Sequence, residues 1–398
     1  MPGPQARVRS VLRSTYVKRV AVLAVLLGCA TGPSVPYLDD RGHRRSELEA
    51  SLVDPSNGYS QLRLQYYALP LGGWDGLPEW NPNAFSLDVD PEDRDAMVAL
   101  GERAFFGFPI QIVPDRIGSA YGTWSDPVRG NGGVVVVHAP DTATTLAVSC
   151  STCHATVRDG NLVPGLANAD FDLGRLLVDG GEVGSAQQAA YLAWGPGRVD
   201  VTTLVGTEPV RIPDLRAVQW LTYLQADADV AQLDLDVLAI RLETLMITSH
   251  GSVTRPPRIV ALAIATYVSS LADALPALPP ASAPGASVFA SECAGCHAAP
   301  SLTGPPVALD IIGTDPTVGL SAVRGTGAYR VPSLHGVGQR ALLLHDGSLP
   351  SLSAMFDPTR TAASFTGGVR PGPVPGHLYG LALSASDRAD LLSYLEAL

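Results

Sequence analysis

Cys293-Ala-Gly-Cys296-His297 is a C-x-x-C-H segment, and the same spacing stands upstream as Cys150-Ser-Thr-Cys153-His154. Two thiols about one helical turn apart can each form a thioether to a vinyl group, and an imidazole directly after them can reach an iron, which is the pattern of c-type haem attachment. The chain has 5 cysteines and 8 histidines among 398 residues. One accidental C-x-x-C-H is expected on the order of once in a thousand such chains, and two far less often. A four-cysteine zinc site leaves both trailing histidines unexplained, and redox C-x-x-C pairs usually follow a strand in a βαβ unit. The sequence therefore implies two covalently bound haem c groups, held by Cys150, Cys153 and His154 and by Cys293, Cys296 and His297.

The fifth cysteine is Cys29. Residues 1–28 carry Arg7, Arg9, Arg13, Lys18 and Arg19 ahead of an apolar run from Val20 to Leu27, the order of an export signal. That run is too short to span a bilayer comfortably. It ends in Leu26-Leu27-Gly28-Cys29, which resembles the lipobox of bacterial lipoproteins, whose cysteine is lipidated and becomes the mature N-terminus. The expected location is the periplasmic side of a membrane, held through the lipid on Cys29, with no spanning helix. Export also suits the haems, because bacterial c-type attachment takes place outside the cytoplasm.

Removing residues 1–28 takes five positive charges and no acids, moving the formal charge from −11 to −16. The only lysine, Lys18, leaves with them, so the mature chain has no lysine-ringed docking face and is a poor fit to nucleic acid. Apolar content of 46% with 16% charged residues is globular in composition.

The expected fold is mainly α: two cytochrome c-like haem domains with irregular and short β insertions. Residues 29–90 read as an irregular, lipid-anchored segment rich in Pro, Gly, Asn and Asp. Residues 91–271 form the first haem domain. It opens on a helix capped near Asp90-Pro91-Glu92-Asp93 and ending near Gly107, and it includes a hairpin or strand pair around Val134 to Val137 and helices over 233–248 and 258–271. His138, at the end of that β-branched run, reads as packed or solvated rather than as a ligand. A helix capped near Asp170 or Asp172 should follow the loop after His154. Residues 272–287, with Pro276, Pro279, Pro280 and Pro284 among alanines, read as a stiffened linker. Residues 288–398 form the second cytochrome c domain.

Arg324-Gly-Thr-Gly-Ala-Tyr-Arg330-Val-Pro332-Ser-Leu334 and Leu344-His345-Asp346-Gly347-Ser348-Leu-Pro350-Ser-Leu352 together resemble the signature of the bacterial diheme cytochrome c peroxidase superfamily. That superfamily includes MauG-type and rubber-oxygenase branches. The match is specific over about 288–398. Upstream it rests on the haem site, on Leu100-Gly-Glu-Arg-Ala-Phe105-Phe106, and on Trp194-Gly-Pro-Gly-Arg198, similar to a peroxidase segment whose tryptophan lies between the haems.

The resemblance implies a peroxide-reducing oxidoreductase in which the C-terminal haem passes electrons to the N-terminal one through Trp194, with Trp220 as the rival relay. A small redox protein or quinol-linked donor would supply the electrons, and a small-molecule oxidant would take them. The alternatives are an electron carrier without catalysis and a haem dioxygenase acting on an apolar polymer. Glu208, close behind the Trp194 segment, is the candidate acid–base carboxylate.

Two departures from the pattern matter. Met355 comes too early to match the peroxidase methionine ligand, and Gly376-His377 resembles a histidine-supplying segment of the rubber-oxygenase branch, so His377 is preferred over His345 and Met355 as the second iron's further ligand. The loop 155–174 has no histidine, so the first iron is expected to keep an open sixth position.

Overall fold

The computed structural model describes residues 35–68, 72–113, 115–138, 144–200 and 208–398. The expected export signal at 1–28 and the expected lipidation site Cys29 lie outside them. The described chain is mainly helical with small sheets, and Val35–Leu398 packs as a single unit by its contacts.

The largest core is built on three helices. Helix Arg94–Gly107 starts at Asp93, whose side chain accepts from the Ala96 N–H, and ends at Gly107, both as expected from sequence. Helix Leu235–Ser249 is capped by Asp234, and helix Arg258–Ser270 begins directly after Pro256-Pro257, where a missing N–H costs nothing. The first and third of these pack so closely that a Cβ on Gly101 would lie 2.0 Å from the Ala263 carbonyl oxygen. The Leu-Gly pair of this helix is therefore a packing requirement. Met97, Leu100, Ala104 and Phe105 bury against Val260, Ala261, Ile264 and Val268.

The expectation of irregular structure over 29–90 is corrected. Arg41–Ser51 and Gly58–Ala68 are helices, and Leu48 and Tyr59 join the main core. The polar composition misled because these helices bury charge as well as apolar surface. The fully enclosed Arg44 donates to the Tyr37 carbonyl at 2.7 Å and to Asp75 at 2.6 Å. Beyond that segment, Gly73–Gly76 forms a short 3₁₀ turn around the buried Trp74.

Strand Val134–His138 pairs antiparallel with Thr144–Val148, which pairs in turn with Gln111–Val113. This three-stranded sheet leads straight into the first cysteine pair. After His154 the chain forms a second hairpin, Ala155–Arg158 with Asn161–Pro164, and then helix Leu173–Asp179 capped by Asp172. A separate apolar cluster, drawn from Phe289, Leu302, Leu343, Leu349, Phe356, Leu391 and Leu395, lies wholly within 288–398. Helices Ala286–Glu292 and Ala385–Glu396 pack together there.

Candidate haem cavity

Both C-x-x-C-H segments open on one cavity of about 720 Å³. Cys150–His154 is a short helix held from three sides. Trp124 Nε1 donates to the Ser151 carbonyl at 2.9 Å, and Asn168 Nδ2 donates to the Thr152 carbonyl at 3.0 Å. The hairpin before it is so close that a Cβ on Gly133 would meet Ser151 Oγ at 2.2 Å. In the second segment the turn continues helix Ala286–Glu292, with the Cys293 N–H on the Phe289 carbonyl and the His297 N–H on the Cys293 carbonyl, each at 2.9 Å.

None of Cys150, Cys153, Cys293 and Cys296 is in a disulfide. Burial pushes Cys150, Cys153 and Cys293 up to about 12, so these groups are neutral thiols rather than poised thiolates. Among the described residues no three His, Cys, Asp or Glu side chains converge on a point that could hold a bare metal ion.

Each histidine that follows a cysteine pair is fixed through one ring nitrogen. His154 Nδ1 donates to the Pro213 carbonyl at 2.9 Å, and His297 Nδ1 donates to the Leu302 carbonyl at 3.1 Å with the Pro332 carbonyl also acting on the ring. A carbonyl can only accept, so Nδ1 carries the proton and Nε2 keeps its lone pair. That is how a metal-bound imidazole is oriented by its surroundings. Burial pushes His154 down to about 4 and also lowers His297, so both rings are neutral at neutral pH.

His377 lines the same cavity, and its Nδ1 is buried without a hydrogen-bond partner. Burial, and next the neighbouring His297, push it down to about 4. Both rings line the cavity. His377 has a left-handed backbone with φ 45°. It is held there by Arg360, which has no exposed surface and donates to the carbonyls of Met355 at 2.9 Å, Val374 at 2.5 Å, Gly376 at 2.6 Å and His377 at 2.7 Å.

Met355 and His345 also face the cavity. Met355 belongs to the second apolar cluster, whereas His345 stacks on Tyr329 with centroids 4.0 Å apart and has an unpartnered Nε2. Around the first segment the wall is Phe105, Leu238, Leu242, Leu245 and Ile264.

The remaining candidates stand away from the cavity lining. His138 is exposed at the end of its strand and bonds Thr144. Trp194 is buried in a third apolar cluster and stacks on Tyr191 at 4.5 Å. Trp220 stacks on His335 at 4.0 Å, and His335 Nε2 bonds the Pro300 carbonyl just after the second segment. Glu208 sits behind Arg324, with Oε2 at 3.9 Å from Nε.

The chain matches no family model and no curated protein. It is similar to a solved structure, that of the diheme peroxidase BthA from Burkholderia thailandensis, at 16% identity and TM-score 0.35, covering 80% of this chain and 88% of that one.

Sequence reasoning missed an internal repeat that the structure makes plain. Arg211-Ile-Pro213-Asp-Leu215 and Val218 correspond to Arg330-Val-Pro332-Ser-Leu334 and Val337 at a constant offset, which continues through Leu224 and Leu343, Asp227 and Asp346, and Leu233 and Leu352. The backbones agree in detail. The 3₁₀ turns Val218–Trp220 and Val337–Gln339 match. So do the pairings Leu224 with Val230 and Leu343 with Leu349. Left-handed residues fall at Gln225 and Ala228 in one copy and at Leu344 and Gly347 in the other.

The copies also grip each other reciprocally. The Arg211 N–H donates to the His345 carbonyl and the Arg330 N–H donates to the Ala226 carbonyl, both at 2.9 Å, and Ala226 and His345 are themselves equivalent positions. This is an isologous contact between two halves of one chain. The R-x-P-x-L pair was the signal available in the sequence.

Proposed function

We propose that this chain is an exported diheme c-type cytochrome of the diheme peroxidase superfamily, reducing a peroxide at the haem held by Cys150, Cys153 and His154. Electrons reach it from the haem held by Cys293, Cys296 and His297. The observation that carries this reading is the shared cavity, onto which two C-x-x-C-H segments open, each with its histidine fixed through Nδ1 by a backbone carbonyl. When bound, haem supplies one-electron transfer and, where an axial position is open, peroxide chemistry.

In this reading the chain's residues divide the work unequally. His377, clamped by Arg360, would be the further ligand of the second iron. The wall of Phe105, Leu238, Leu242, Leu245 and Ile264 would bring no imidazole or thioether to the first. Trp220 is the better relay, because its stack on His335 joins the first half to the loop after His297. Trp194 lies in a core outside the lining. Glu208, set behind Arg324, positions that guanidinium rather than touching reacting atoms. Acylation at Cys29 tethers the chain on the periplasmic side, and a small redox protein or quinol-linked donor feeds it.

Intact-mass analysis of the exported protein tests the reading together with stopped-flow mixing of the reduced protein with hydrogen peroxide. Two haem masses and rapid peroxide-dependent oxidation are expected. Two haems that resist peroxide would make the chain an electron carrier, and a mass with fewer than two haems would overturn the architecture.

A further inference from the structure

We propose that Arg211 and Arg330 form a paired carboxylate-binding site between the two halves, each arginine receiving propionates of the haems; this rests on the diheme reading above. The two residues are equivalents in the internal repeat. Each lies two positions before the proline, Pro213 or Pro332, whose carbonyl acts on a proximal imidazole. Each is cross-paired through its own N–H to the opposite copy, and both side chains line the cavity.

What separates them from their neighbours is that no carboxylate reaches them closely: Asp214 and Asp346 act on Arg211, and Asp227 on Arg330, only from beyond 4.0 Å. Arg216 and Arg340 share Asp214, at 2.7 and 3.2 Å, and Arg324 has Asp227 at 3.6 Å. Among the described residues Arg211 and Arg330 have no carboxylate within 4.0 Å. Arg211 uses Nε on the Leu344 carbonyl at 2.8 Å, and Arg330 Nε is buried without any partner. Two desolvated guanidinium groups without a direct ion pair in one cavity are unfavourable unless the ligand brings the anion. A planar fork of N–H donors fits a carboxylate bidentately, and haem carries two carboxylates on one edge.

The test is spectroelectrochemical titration of the intact protein, wild type against Arg211→Met, Arg330→Met and the two Arg→Lys variants, with haem content checked by mass. A cation beside the propionates favours the reduced state, so each methionine variant should keep two haems yet show a lower potential. That potential should become pH-dependent across the neutral range, because the freed propionates now titrate there. The lysine variants restore the charge without the fork and should recover most of the loss.

Unchanged potentials and pH slopes in methionine variants that carry both haems would overturn the proposal. If those variants fail to fold, the wild type still decides. Its potentials should be flat with pH and indifferent to added acetate, and a shift with either one overturns the assignment. Fewer than two haems in the wild type would instead sink the diheme reading itself.

Discussion

Segment 211–233 and segment 330–352 share their turns, their left-handed residues and their reciprocal hydrogen bonds, yet they lead into different walls. The first runs into the helix Leu235–Ser249, which presents Leu238, Leu242 and Leu245 to the cavity. The second runs into the four-residue helix Leu352–Met355 and then into a loop that Arg360 folds back, with His377 lining the cavity. After the first copy the chain thus brings aliphatic side chains to the cavity, and after the second it brings an imidazole. In the proposed diheme reading, the repeated part would place a proximal histidine and the part that differs would decide what stands opposite it.

The largest effect should come from removing one cradle at a time. Replacing Cys150 and Cys153, or Cys293 and Cys296, by alanine should lower the intact mass by one haem in each case. Loss of both haems from either variant would mean that the halves cannot be treated separately.

Next in size is the imidazole wall. His377→Ala should open the second haem to exogenous ligands such as cyanide, seen as a shift of its optical spectrum. Arg360→Met should approach the same phenotype more weakly. It strands three buried carbonyls and a partly buried one and should cost on the order of 3 kcal/mol or more, read by denaturant unfolding. A His377→Ala spectrum identical to the wild type would return the ligand role to His345 or Met355.

A smaller effect separates the halves by pH. Asp227 and Asp229 are fully enclosed in the first copy of the repeat, and none of their carboxylate oxygens has a hydrogen-bond partner. Burial raises Asp229, and next the neighbouring Asp227 raises it further. A carboxyl raised above its unfolded value of about 3.9 holds its proton more tightly when folded, so stability falls as pH rises from there towards neutrality. Asp229→Asn should therefore raise the melting temperature at about pH 8 and leave it nearly unchanged at about pH 4. Equal effects at both pH values would show that the carboxyl is not the source. Ser348 stands at the equivalent place in the second copy and carries no such dependence.

The smallest expected effect is Met355→Leu, a volume-conserving change in the second core that should cost less than about 1.5 kcal/mol and leave the haem spectrum intact. Loss of a thioether charge-transfer band would contradict the histidine assignment.

Most of the helices could be read in the sequence because their caps are local: Asp93, Asp172 and Asp234 each sit where the first helical N–H groups need an acceptor. The helices at 41–51 and 58–68 could not, since their partners are far away in the chain. Arg44 is satisfied by Asp75, Tyr37 by Glu243 and Arg63 by Thr244. At the candidate site, the cysteine pairs and His377 were legible as motifs, whereas Arg360 was not, because an arginine spending its donors on four carbonyls leaves no spacing to read. The repeat was legible in principle but falls among Gly- and Pro-rich turns where hydrophobic periodicity is silent.

The account centres on two haems with unequal surroundings, and low-temperature electron paramagnetic resonance of the fully oxidised protein with spin quantitation tests this most directly. The account predicts one high-spin and one low-spin ferric signal in equal amounts, the high-spin one vanishing in the Cys150→Ala, Cys153→Ala variant. Two low-spin signals in the wild type, or a single signal of either kind, would contradict it.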